Sequence, residues 1–112
     1  MEYKTAAPIF EALASEARLA VFHLLARNTP EGLVAGEIAG QLSIPKSNLS
    51  FHLKNMVQSG LVNMSREGRN TRYKANITLM LEAIDYLTDE CRPGEGQRPP
   101  RHRAASVPPE LL

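Results

Sequence analysis

The sequence predicts a mostly α-helical domain that carries a single β-hairpin, and three observations within one stretch predict it. Leu49, Leu53, Met56 and Val57 follow the i, i+4, i+7, i+8 spacing of one buried helical stripe. Two short strand-like runs, about 61–66 and 71–75, then flank the turn sequence Glu67-Gly68-Arg69-Asn70. Charge is the third. Residues 44–75 hold six Lys or Arg against one Glu, a local +5 in a chain of net +1, which leaves −4 for the remainder. A positive field confined to one helix and one hairpin is the footprint that a phosphate backbone requires.

The other elements follow in order. Ile9, Phe10 and Leu13 share a face over residues 5–14, which predicts a short opening helix. Ser15 caps a second helix to about Ala26, with Leu19, Leu24 and Leu25 inward. Asn28-Thr29-Pro30-Glu31-Gly32 reads as a turn. A third helix spans about 34–42 and buries Ile38 and Leu42. Pro45 suits the first turn of the next helix, where a missing N–H costs nothing, and Gly60 suits the left-handed residue after its end near Ser59. Asn76 or Thr78 caps a last helix to about Glu90, with Ile77, Met80, Leu81, Ile84, Leu87 and Cys91 as its apolar stripe.

These assignments make residues 1–91 one domain and residues 92–112 a flexible tail with five of the eight prolines and four arginines. The first and last helices carry more apolar surface than so small a domain covers alone. A second copy packed on Ile9, Phe10, Leu13, Met80, Ile84 and Leu87 would cover it, making a homodimer through these helices. It would also set two reading helices about 34 Å apart, one DNA turn, as a palindromic site demands. One cysteine excludes an intramolecular disulfide framework, and neither a signal peptide nor an apolar run of membrane-spanning length is present. A reducing cytoplasm and no membrane partner are therefore expected. No Gly-rich phosphate loop, nucleophile elbow, His/Glu zinc motif or paired carboxylates on a recognisable scaffold occurs, so neither enzyme chemistry nor a cofactor is expected.

The candidate reading residues lie on the fourth helix and the hairpin. Ser47, Phe51, Lys54 and Gln58 point away from the buried stripe, flanked by Asn48, Ser50 and Asn55. Ser47, Asn48 and Ser50 occupy the first turns, which usually reach base edges in double-stranded DNA; Ser47 and Asn48 can equally serve as local caps. Phe51 can pack on a thymine methyl, or else lie on the hairpin or stand singly exposed. Lys54 suits a phosphate. Arg66, Arg69 and Arg72, with Lys74 further along, suit phosphates or the minor groove, the alternative being a solvated hairpin. His52 reads first as a ring that bonds backbone and steadies the helix, and second as a phosphate contact. Three scattered histidines make no metal site. Cys91 reads first as a small buried hydrophobe and second as a redox switch. The same face and hairpin would also suit a protein-binding module with Phe51 as its anchor.

Across residues 10–91 the chain resembles the ArsR/SmtB family of dimeric winged-helix repressors. The resemblance rests on Leu13-Ala14-Ser15-Glu16-Ala17-Arg18-Leu19, Glu37-Ile38-Ala39, Ser50-Phe51-His52-Leu53-Lys54, Gly60-Leu61-Val62 and Arg66-Glu67-Gly68-Arg69. It implies a winged helix-turn-helix homodimer, joined through its first and last helices, that blocks transcription at an inverted-repeat operator until an inducer releases it. The inducer sites depart from the family. Where many members carry Cys-x-Cys this chain has Val34-Ala35-Gly36, and its last helix has no histidine. Cys91 is followed by Arg92, so at most half of the cysteine pair of an arsenic-responsive branch is present, and a vestigial metalloid ligand is the third reading of Cys91. No standard metal site is expected, and the residues name no inducer.

Overall fold

The computed structural model describes residues 1–89. Five helices and three strands follow in the order α1 Tyr3–Leu13, α2 Glu16–Ala26, β1 Leu33–Val34, α3 Ala35–Leu42, α4 Lys46–Gln58, β2 Val62–Glu67, β3 Asn70–Ala75 and α5 Ile77–Thr88. The sheet is antiparallel with order β1-β3-β2. Cys91 and the expected tail lie outside the described residues.

Local chemistry starts and stops these elements where the sequence indicates. The Ser15 hydroxyl accepts from the Arg18 N–H at 3.3 Å and caps α2. The Asn76 side chain accepts from the Leu79 N–H at 3.2 Å and caps α5, while its amide donates to the Gly60 carbonyl at 2.9 Å. Gly60 follows α4 with φ +88°, the left-handed stop expected there. Between α3 and α4 the chain turns through Ser43, whose φ of +54° is the left-handed conformation in a residue other than glycine. Pro45 then occupies the position just before α4 and its carbonyl accepts from the Leu49 N–H at 2.9 Å.

The core lies where α2, α3 and α4 meet the sheet. Val21, Leu24, Leu25, Ile38, Leu49, Leu53, Met56, Leu61 and Val62 are among its buried members. Four expectations change here. Leu19 is 51% exposed, because at about 100° per residue it falls on the opposite side of α2 from Val21, Leu24 and Leu25. Leu42 is half-buried, packed at the edge of the core. Ile9, expected at a dimer face, is 1% exposed and fills the chain's own core, out of reach of a second copy. The stripe expected on α5 splits: Ile77 and Met80 pack partly on the core, Leu81, Ile84 and Leu87 face outward, and Ala83 is the buried residue. An alanine at the contact lets α5 approach the core closely.

Strand β1 is not among the elements the sequence predicts, which place Val34 in the third helix. It exists through pairing with β3, Leu33 opposite Tyr73 and Val34 opposite Arg72. Gly32 makes the approach possible: its φ is +72°, and a Cβ there would run into the Tyr73 carbonyl oxygen.

Candidate nucleic-acid interface

Helix α4 presents the face that its periodicity indicates. Leu49, Leu53 and Met56 are buried and Val57 half-buried, while Ser47, Asn48, Ser50, Phe51, Lys54 and Gln58 are exposed. No side chain caps the first turn of α4. Ser47 and Asn48 therefore do not cap it; the Ser47 hydroxyl reaches only the Asn48 side-chain oxygen, at 3.4 Å. Phe51 is 68% exposed. Its ring meets the His52 imidazole edge-on, centroids 5.8 Å apart at 66°.

The hairpin turns at the four expected residues, Glu67 to Asn70. Glu67 pairs with Asn70, so Gly68-Arg69 forms a two-residue loop, with Gly68 at φ +62° in its first position. This puts Arg69 at the tip, with Arg66 on the strand below it, and both are exposed. Arg72 is placed differently. Its Nε donates to both carboxylate oxygens of Glu67, at 3.0 and 2.9 Å, and its Nη1 donates to the Gly32 carbonyl at 3.3 Å. The one acidic residue of the basic stretch is thus spent on Arg72. Lys46, Lys54, Arg66, Arg69 and Lys74 are all exposed and carry the positive field.

Between α4 and the hairpin lies a shallow cleft of about 180 Å³, lined in part by Ser50, Leu53, Lys54, Val57, Met64 and Tyr73. Met64, 48% exposed, is a lining residue that the sequence does not single out; its signal is an apolar position on a strand beside the reading helix. Among the described residues the His52 ring bonds no backbone group. Its Nδ1 lies 3.2 Å from Nη1 of Arg18 on α2. Among the described residues no three His, Cys, Asp or Glu side chains gather into a metal-ligand set. No described helix is long and apolar enough to cross a membrane.

A tri-helical core, a helix-turn-helix with an exposed second helix, and a basic hairpin beside it define a winged helix-turn-helix DNA-binding domain. A family described as a helix-turn-helix domain matches residues 13–65. The solved structure of HlyU from Vibrio cholerae N16961 is similar, with 30% identity and a TM-score of 0.63 over 82% of this chain and 100% of that one. An ArsR-like transcriptional regulator from Rhodococcus sp. RHA1 has 26% identity and a TM-score of 0.69, over 78% of this chain and 79% of its own. The transcriptional repressor SdpR of Bacillus subtilis (strain 168) is 25% identical over 87 residues, 78% of this chain and 93% of that protein. The chain belongs to the ArsR family of winged helix-turn-helix transcriptional regulators.

Proposed function

We propose that this regulator is a homodimeric repressor that reads an inverted-repeat operator and has no metal in the family's usual positions. The observation that carries the reading is Phe51, a large apolar side chain left exposed at the centre of a helix face edged by Lys54 and set beside the arginine hairpin. In water such a residue gains nothing; in a major groove it meets thymine methyl groups. Ser47, Asn48 and Ser50 would approach base edges from the first turns of α4. The uncapped amides of that turn, at the positive end of the helix dipole, favour a nearby phosphate. Lys54, Arg66 and Arg69 would hold flanking phosphates and so fix the helix in the groove. Arg72, engaged with Glu67 and Gly32, would instead brace the hairpin at its working angle.

Dimerisation is supported by the outward apolar residues of α5. Ile84 and Leu87 are exposed on the described chain, and α1 lies beside them, its Tyr3 ring meeting Tyr86 edge-on at 6.2 Å. Phe10, Leu13 and Met80 are half-buried against the core and would be covered further by a second copy.

Selection of bound sequences from random duplexes, followed by titration of the enriched site at several salt concentrations, tests the proposal. An inverted repeat with half-sites one turn apart and a steep salt slope are expected. No enrichment, or binding indifferent to sequence, would remove the operator-reading function and favour a protein partner for the Phe51 face.

A further inference from the structure

Two residues of the family-like motifs, Arg18 and His52, are assigned no DNA contact above, yet they join three helices. The Arg18 Nε donates to the Ala12 carbonyl oxygen at 2.6 Å, and its Nη1 approaches His52 Nδ1 at 3.2 Å. A guanidinium carries donors and no acceptor, so in this contact Nδ1 is the accepting atom. Ala12 lies in the last turn of α1, where carbonyls lack intrahelical partners and no basic residue is present. Arg18 therefore brings from α2 the cation that the C-terminal end of α1 favours. The same guanidinium holds the imidazole that abuts the Phe51 ring.

We propose that Arg18 and His52 are a positioning pair. They tie α1, on the dimer side, to α4 and hold Phe51 at the angle the groove requires. This inference rests on the operator-reading proposal above. Its consequence is geometric. The angle between the α1/α5 face and α4 sets the separation of the two reading helices in a dimer. Loosening the link lets α4 roll on its own core stripe, and the dimer then tolerates half-site spacings that the parent rejects. A simple loss of stability would weaken all spacings alike.

The test measures affinity for the selected palindrome and for versions with the half-sites one base pair closer or further apart. Parent, Arg18→Ala, His52→Ala, His52→Asn and the double alanine variant are compared at temperatures where melting curves show each folded. The side-chain oxygen of Asn takes the place of Nδ1 as acceptor. The two alanine variants are expected to lose about tenfold on the best spacing, the size of a charge-assisted hydrogen bond, and to lose less on the altered ones. His52→Asn keeps the parental discrimination, and the double variant loses no more than either single one, because both remove the same link. Parental discrimination in both alanine variants overturns the proposal, as does a double variant whose loss is the product of the singles. If Arg18→Ala does not fold, the contrast between His52→Ala and His52→Asn decides. A parent that selects no palindrome removes the operator reading itself, and this inference with it. A discriminating parent with equally discriminating variants removes the positioning pair alone.

Discussion

Helices α4 and α5 both leave large apolar side chains in water, and the two surfaces differ in what surrounds them. On α4, Phe51 stands among exposed hydroxyl, amide and cationic groups, with Arg66 and Arg69 on the hairpin beside it. On α5, Ile84 and Leu87 stand one turn apart, with Tyr3 of α1 nearby, Glu82 on the same helix and Asp89 at its C-terminal cap. A lone aromatic in a positive field suits a polyanion with apolar methyl groups. A contiguous apolar patch without that field suits a second protein surface, and repels nucleic acid through its carboxylates. Exposure alone does not distinguish these partners; the charge around it does.

The largest effect is expected where the second surface is broken. Replacing both Ile84 and Leu87 with Asp adds two charges to an exposed face without touching the core. The expected outcome is a monomer by sedimentation and a loss of palindrome affinity of about 10²-fold or more, because two linked half-site contacts become one. A variant that stays dimeric and binds normally would show that the second copy sits elsewhere. The next effect acts on the hairpin's seat. Gly32→Ala places a side chain at φ +72° against the Tyr73 carbonyl, and should cost about 1–3 kcal/mol of stability, read from the denaturation midpoint. An unchanged midpoint would show that β1 yields easily and does not anchor β3.

The third comparison is between two arginines of the same hairpin. Arg69→Ala should weaken all duplexes about fivefold and lower the salt slope by about one. Arg72→Ala should change that slope less, since its charge already faces Glu67 at 2.9 Å. Equal slopes for both variants would mean that Glu67 releases Arg72 to the phosphates when DNA binds.

Local rules carried much of the fold. The α4 stripe, the Ser15 and Asn76 caps, the Gly60 stop and both hairpin strands, to within a residue at each end, follow from spacing and from capping and turn chemistry. What periodicity missed depends on partners distant in the chain. Val34 looks like the start of a helix until β3 pairs with it and with Leu33, through Arg72 and Tyr73 about forty positions on. Arg72 reads as one more cation of a basic run until Glu67 and Gly32 are seen to hold it. Ile9 and Leu87 both look like members of apolar helix faces, and only packing shows that one is core and the other exposed. The link from Ala12 through Arg18 to His52 crosses 34 positions between its charged and aromatic members and leaves no local pattern.

Phe51→Ala gives the smallest average effect and the most specific one. The side chain contributes little to the fold, being 68% exposed with its ring against His52 alone among the described aromatic rings. Stability should therefore stay within about 0.5 kcal/mol of the parent, as for other surface changes. If the ring packs on a thymine methyl, its loss should cost about 1 kcal/mol on the selected operator, and much less where that thymine is replaced by cytosine, which lacks the methyl. The substituted base thus acts as the second mutation of a double-mutant cycle, and the coupling between the two changes is the quantity to measure. Coupling at one base pair in each half-site would assign Phe51 to direct readout and orient α4 on the duplex. An equal loss on both duplexes would leave Phe51 as a support for His52, and would move the sequence-reading role to Ser47, Asn48 and Ser50.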